Sequence, residues 1–177
     1  MLKGKTVQVY VRNRKGLHEL KEMRWGLIPT SYAAAPELFD GSTTHARLET
    51  VAEKPSFADC WRKKWRCLFP VANIKQTIAA GSDLFGCGKG KRNAVITRAD
   101  GQPIGIAGIY NAIQTPEGLL LSAAMLTREP GPAMAQIHDR EPVVIEPEDF
   151  AAWLDGSDQL DLVSPWADDA FDCRVVA

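Results

Sequence analysis

The sequence predicts a single α+β domain over residues 1–177, with a core dominated by antiparallel strands. Val7, Val9 and Val11 alternate with polar residues, as in a strand with one buried face. Further short apolar runs are separated by turn residues, and one stretch has aromatic residues at helical spacing. A chain of 177 residues is long enough to bury about two thirds of its unfolded surface in one core.

The first strand is expected to continue into a hairpin. Residues 13–16, Asn-Arg-Lys-Gly, supply the turn. The second strand is predicted from about Leu17 to Pro29, where the proline ends the ladder of hydrogen bonds. Residues 30–44 are small and polar, and they predict a loop that contains a helical turn.

A helix is predicted from Val51 to Lys64. Phe57, Trp61 and Trp65 recur at intervals of four and mark one face, and Pro55 suits the first turn. The basic cluster at residues 62–66, Arg-Lys-Lys-Trp-Arg, has two interpretations, a solvated helix end or a phosphate-binding patch.

The remaining elements are short. A glycine-rich connection is predicted over residues 79–91, and its Gly-Cys-Gly-Lys-Gly run lacks the spacing of a phosphate-binding loop. Proline at the start and Gly156 just beyond the end predict a short helix at Pro147–Leu154. Further strands are predicted at Cys67–Ala72, Ala94–Thr97, Ile104–Tyr110, Gly118–Met125 and Cys173–Val176.

The segment Gln136–Ile145 carries a histidine and an arginine just before an apolar run. If the segment is extended, His138 and Arg140 lie on one face and point toward a shared ligand. A histidine is suited to proton transfer near neutral pH, and an arginine offers a planar set of donors. The alternative is a surface turn ahead of a buried strand from Pro142 to Ile145.

Composition narrows the possible functions. The hydrophobic fraction of 45% and charged fraction of 24% are those of a globular protein. With a formal net charge of −1, any contact with DNA must come from local arginines and not from a broad basic surface. We expect no membrane span, since no 18 consecutive apolar residues occur. The N-terminus lacks the apolar region of a signal peptide, and a cytoplasmic location is therefore expected.

The four cysteines do not form a recognisable metal motif, because they include no C-x-x-C pair. Reduced, mostly buried thiols are expected. A metal site built from His45, His138 and Cys87 has no support from spacing, and the sequence predicts neither a metal nor a small-molecule cofactor.

Several motifs together resemble the SOS-response-associated peptidase family, also called abasic-site processing proteins. Their order and rough spacing fit the family along nearly the whole chain. The motifs are Met23–Pro29, His45–Thr50, Arg66–Pro70, Ala99–Pro103 with Ala107–Ile109, and Ile137–Pro142 followed by Trp153 and Leu154.

The resemblance implies a β-rich domain with a groove that holds single-stranded or junction DNA near an abasic site. Arg47 and Arg140 match arginines that bind DNA phosphates, a role for which bidentate donors are suited. His138 matches the catalytic histidine, which acts as acid or base around the sugar aldehyde. Trp25 matches an aromatic residue of the groove, where it either stacks on a base or packs in the core.

The departures from the family pattern fall on its chemistry. The family captures the aldehyde with an N-terminal cysteine at position two, where this chain has Leu2. His45 stands in place of an asparagine, as a replacement donor or as part of a polar loop. Gln76 stands in place of the catalytic glutamate and cannot exchange a proton at pH 7. The family's opening segment has no counterpart here, and a shortened C-terminus is also expected.

Three functions remain open on this evidence. The first is a divergent family member that binds abasic single-stranded or junction DNA in the DNA damage (SOS) response through Arg47, Arg140 and Trp25, without stable crosslinking. The second is an active crosslinking enzyme with autopeptidase (hydrolase) activity, whose true start lies upstream. An intermediate possibility between these two uses the α-amine of Met1 for Schiff-base lyase chemistry. The third is an inactive remnant or a protein-interaction module.

Overall fold

The centre of the molecule is a closed ring of five strands. The computed structural model describes residues 4–13, 15–78, 92–157, 159–162 and 164–176; the predicted glycine-rich connection at 79–91 lies outside them. The strands are β1 (Thr6–Arg12), β2 (His18–Trp25), β3 (His45–Arg47), β4 (Arg66–Val71), β5 (Ile74–Ile78), β6 (Arg92–Arg98), β7 (Ile104–Thr115), β8 (Gly118–Arg128), β9 (Glu141–Pro142), β10 (Val144–Ile145) and β11 (Phe171–Val176).

The ring forms because β7 pairs with both β4 and β8. Its order is β7-β4-β1-β2-β8, and the pairings are antiparallel except the one between β2 and β8. β3 adds to β8 in parallel, while β9 and β10 add antiparallel to β8 and β7. A second sheet has the order β11-β6-β5. The predicted α+β class with an antiparallel-rich core is confirmed.

The N-terminal hairpin is confirmed and ends earlier than expected. β1 and β2 pair from Thr6 opposite Arg24 to Arg12 opposite His18. The side chain of Asn13 accepts backbone hydrogen bonds from Lys15 and Leu17, at 2.9 and 3.0 Å, and so shapes the turn. β2 ends at Trp25 and not near Pro29, because Gly26 takes a left-handed φ of 102°.

Two apolar clusters hold these layers together. The first joins the ring to the second sheet, with Val9 and Phe69 from the ring and Ile96 from β6. The second joins the other side of the ring to the helices, with Ile109 from β7 and Trp153 at its centre. β4 is buried over its first four residues because both of its faces are covered.

The helices are shorter than the sequence suggested. The predicted helix over residues 51–64 is reduced to α1 (Ala58–Arg62), preceded by turns and the 3₁₀ turn Leu48–Thr50. Pro55 accounts for the difference, since a proline disfavours helical geometry in the residue before it. The predicted C-terminal helix is confirmed as a 3₁₀ turn, Pro147–Asp149, that continues into α3 (Phe150–Leu154).

The basic cluster that ends the predicted helix divides into two environments. Arg62, Lys63 and Lys64 are exposed. Arg66 is buried, with its guanidinium 3.9 Å from the Trp61 ring and 5.1 Å from the Trp153 ring. The interpretation as a solvated helix end therefore describes residues 62–64, whereas Arg66 is a buried side chain.

The placement of His138 and Arg140 on a strand was wrong. The segment follows α2 (Pro132–Ala135) and begins with a turn that carries both residues, and β9 begins only at Glu141. The predicted strand from Pro142 to Ile145 is present as β9 and β10, interrupted at Val143. The alternative interpretation, a turn ahead of a strand, describes the segment.

Two further findings concern the cysteines and the membrane. Cys60, Cys67 and Cys173 are free thiols, and the first two are buried. Cys87 lies outside the described residues. In the described part of the chain, no helix has the length and apolar character needed to cross a membrane.

Candidate functional site

A cleft of about 710 Å³ lies between the ring and the second sheet. All six of the predicted site residues line it, although they are scattered from β2 to the turn after α2. They are Trp25, His45, Arg47, Gln76, His138 and Arg140. The structure thus brings the predicted residues together, while their individual roles stay predictions.

The charged side chains that line the cleft are all basic. Arg47, Lys75 and Arg140 line it, whereas the described lining contains no aspartate or glutamate. The chain as a whole carries a formal net charge of −1, so the positive charge is concentrated locally. Such a concave cationic surface favours an anionic ligand.

His138 is oriented by the turn in which it lies. Its Nδ1 accepts a hydrogen bond from the backbone N–H of Arg140, at 2.9 Å. The carbonyl oxygen of Arg140 lies 3.1 Å from the same Nδ1, so these backbone contacts fix the orientation of the ring but not its tautomer. Nε2 makes no hydrogen bond to the described residues, which leaves this edge of the imidazole available to a ligand. The Asp139 carboxylate lies 3.0 Å from Nδ1.

His45 lies on β3 and not in a polar loop. Its Nδ1 is 3.1 Å from the hydroxyl of Thr44, and its ring contacts that of Trp25 edge-on at 5.5 Å between centroids. Partial desolvation by its surroundings lowers the pKa of His45, although the residue is exposed, and a positive charge on His138 would lower it further. The neutral imidazole is therefore favoured at pH 7, with an acceptor nitrogen.

Trp25 forms the floor of the cleft and does not stand at its surface. Its side chain is 2% exposed and belongs to the first apolar cluster. Besides His45 it contacts Phe69, with ring centroids 5.2 Å apart. No face of the indole is open to a base, so core packing, the alternative considered from the sequence, describes this residue.

The two arginines differ in their surroundings. The side chain of Arg47, on β3, is exposed and makes no hydrogen bond or ion pair with the described residues. Arg140 is half-buried, and its Nη2 donates to both carboxylate oxygens of Glu49, at 2.7 and 3.0 Å. Glu49 was not predicted as a site residue. Its position two residues after Arg47, in the same motif, was the signal available in the sequence.

Gln76 lies at the centre of β5, a strand that the sequence analysis missed. It is half-buried and stands opposite Ala94 of β6. The β-branched residues Ile74, Thr77 and Ile78 were the available signal. As an amide, Gln76 can donate and accept hydrogen bonds in the cleft but does not exchange protons at neutral pH.

A buried ion pair anchors the turn that carries His138 and Arg140. Glu141, at 0% exposure, accepts hydrogen bonds from Arg128 at 2.9 and 3.1 Å. It also accepts the backbone N–H groups of Gly131 at 2.9 Å and Trp166 at 2.7 Å. The bond to Gly131 closes the loop that starts before α2, so both ends of the segment are fixed by one carboxylate.

The described residues offer no metal centre. No group of three or more His, Cys, Asp or Glu side chains is placed there to hold an ion. His45 and His138 share the cleft, but Cys87, the third ligand considered from the sequence, lies outside the described residues.

Comparison with known proteins decides the family. The sequence profile of the SOS response associated peptidase (SRAP) family matches residues 1–177. The chain belongs to the SRAP family. This confirms the resemblance that the motifs suggested.

Abasic site processing proteins are similar to the chain in sequence. The Bacillus subtilis abasic site processing protein YobE is 33% identical over 138 residues, which are 77% of this chain and 59% of YobE. The mouse abasic site processing protein HMCES is 26% identical over 160 residues, covering 75% of this chain and 44% of HMCES. The chain therefore spans less than two thirds of the length of these relatives.

A solved structure from Bordetella bronchiseptica superposes with a TM-score of 0.83 at 25% identity, covering 100% of this chain and 86% of that one. A second, from Bacteroides thetaiotaomicron, has a TM-score of 0.78 at 21% identity and covers 98% of this chain and 75% of that one. The likeness to the second structure shows the fold alone.

Proposed function

We propose that the chain binds single-stranded DNA at or near abasic sites, as part of the response to DNA damage, and that the cleft between the ring and the second sheet holds the DNA. The observation that carries the proposal is the convergence of Arg47, Arg140 and His138 on one cleft whose described lining has no carboxylate. The named SRAP relatives are abasic site processing proteins, which supports the choice of ligand.

In this proposal the arginines bind phosphates on either side of the abasic sugar. The guanidinium of Arg47 has no partner among the described residues and is available for charge-assisted hydrogen bonds with a phosphate. Arg140 lies deeper and is oriented by its neighbours. Phosphate contacts of this kind fix the position of a strand without reading its sequence.

The polar groups of the cleft are suited to the sugar. The free Nε2 edge of His138 would exchange a proton with the aldehyde or hydroxyl oxygens of an open abasic sugar. Neutral His45 would accept a hydrogen bond, and Gln76 would donate or accept one without moving a proton. With an amide at position 76, we propose that binding predominates and that covalent capture is impaired.

Covalent processing is the second candidate function, and the free edge of His138 is the observation that favours it. An abasic oligonucleotide incubated with the protein separates the two candidates on a denaturing gel. Binding alone leaves no complex after denaturation, whereas crosslinking leaves a stable, slowly migrating band.

The binding itself is tested by fluorescence anisotropy with a labelled single strand that contains one abasic site. Arg47→Ala and Arg140→Ala should each weaken binding about tenfold or more, the value of one charge-assisted hydrogen bond. Arg174→Ala, an exposed arginine on β11 away from the cleft, is the matched control and should bind like the wild type. Equal affinity of all four proteins would refute the proposal.

A further inference from the structure

The three nitrogens of Arg140 have different environments. Nη2 donates to both oxygens of Glu49 and lies 3.5 Å from the hydroxyl of Thr127. Nε is buried and has no hydrogen-bond partner in the described part of the chain. Nη1 makes no hydrogen bond to the described residues and is not among their buried, unsatisfied atoms. It is thus the donor that Arg140 retains for a ligand in the cleft.

Glu49 is itself held in place. Its Oε1 accepts the backbone N–H of Glu129 at 2.8 Å, and it lies on the 3₁₀ turn Leu48–Thr50 directly after β3. Burial alone would raise the pKa of Glu49, but the hydrogen bond from Arg140 and its positive charge outweigh this and lower the pKa. The carboxylate is therefore ionised at neutral pH and links β3, the end of β8 and the turn that carries Arg140.

We infer that Glu49 is a positioning residue, which fixes the guanidinium of Arg140 so that Nη1 faces a DNA phosphate in the cleft. The inference rests on the proposed function, in which Arg140 binds a phosphate. By occupying Nη2, Glu49 limits Arg140 to a single donor nitrogen and keeps a long, flexible side chain in one orientation. Less conformational freedom is then lost when DNA binds.

If Glu49 acts by electrostatic repulsion, its removal should change the DNA affinity in the opposite direction from the change expected if it acts by positioning Arg140. A carboxylate beside a phosphate repels it, and removal of that charge alone would strengthen DNA binding. Removal of a positioning group would weaken binding, because the guanidinium of Arg140 would adopt other orientations. The direction of the change therefore distinguishes the two effects.

The experiment measures affinity for the labelled abasic single strand in four variants. Glu49→Ala should weaken binding about tenfold, close to the effect of Arg140→Ala. Glu49→Asp keeps the charge but shortens the reach, and it should also weaken binding several-fold. Glu49→Gln can still accept the hydrogen bond from Arg140 and should stay within about threefold of the wild type. Glu53→Ala removes an exposed carboxylate of the neighbouring turn and should have no effect.

Two further measurements test the link to Arg140. A plot of the logarithm of the binding constant against the logarithm of the salt concentration should have a shallower slope for Glu49→Ala than for the wild type. The difference in slope should be about 0.7, which corresponds to one phosphate contact on a single strand. In the variant that combines Glu49→Ala with Arg140→Ala, the losses should not add, because both changes remove the same contact.

The inference would be overturned if both Glu49→Ala and Glu49→Asp bound the strand as tightly as the wild type or more tightly. If Arg140→Ala weakens binding in that case, the proposed function stands and only the role of Glu49 is lost. If Arg140→Ala also has no effect, the proposed function itself fails.

Discussion

Replacing Glu141 tests whether the buried ion pair holds the turn that carries His138 and Arg140. Glu141 is fully buried and Arg128 is 4% exposed. Glu141→Ala removes the acceptor for two hydrogen bonds from Arg128 and for two backbone N–H groups, those of Gly131 and Trp166. A buried guanidinium would then remain without its carboxylate.

The expected size of the effect follows from these contacts. Removal of one partner of a buried ion pair costs about 3–5 kcal/mol, mostly because the remaining charge is desolvated. The two backbone N–H groups add to this cost unless water reaches them. Since domains of this kind have unfolding free energies of about 5–15 kcal/mol, Glu141→Ala should lose a large part of the stability.

Urea denaturation of the wild type and the variant measures the difference. Glu22→Ala, an exposed glutamate on β2, is the control and should change the unfolding free energy by less than about 0.5 kcal/mol. The double change of Arg128→Met and Glu141→Leu should be milder than Glu141→Ala, because it leaves no buried charge. A Glu141→Ala variant within about 1 kcal/mol of the wild type would refute the reasoning.

Two further predictions concern stability. The pKa of Glu49 is lower in the folded state than in the unfolded state. The ionised carboxylate therefore stabilises the fold above the unfolded-state pKa of about 4.3, and this stabilisation is lost as the pH falls through the folded-state pKa. At pH 7 the unfolding free energy of the wild type should exceed that of Glu49→Gln by at most about 1 kcal/mol, because the pair with Arg140 is partly exposed. The difference should shrink toward pH 3, and urea titrations in which it grows would contradict this. Trp153 is fully buried and donates to the carbonyl of Cys67 at 2.9 Å, so Trp153→Phe should cost about 2–3 kcal/mol through the lost bond and the cavity. Thermal unfolding measures that loss, and an unchanged midpoint would exclude it.

The strands that the sequence predicted were those with strong local patterns. Val7, Val9 and Val11 face the core on alternate positions of β1, and this pattern depends only on the strand itself. β5 was missed because Ile74 and Ile78 are its only buried residues, and its place is set by pairing with β6. Closure of the ring requires the pairing of β2 with β8 and of β4 with β7, which are distant in sequence, and no local pattern encodes it.

The candidate site was predictable as a set of residues and less so in its geometry. The motifs identified residues that the fold brings to one cleft. Alternation placed His138 and Arg140 on a strand, but the structure orients them through the hydrogen bond from the Arg140 N–H to the imidazole. The burial of Trp25 and the pairing of Glu49 with Arg140 depend on side chains from distant segments. Neither could be read from spacing.

The chain contains three histidines, and their NMR signals test the central claim directly. His45 and His138 line the cleft, while His18 lies on β2 beside Asp155, 3.5 Å away. Titration with a single strand that contains one abasic site should shift the imidazole signals of His45 and His138 and leave that of His18 unchanged. Binding of the strand without a shift at either cleft histidine would contradict the claim that DNA occupies this cleft.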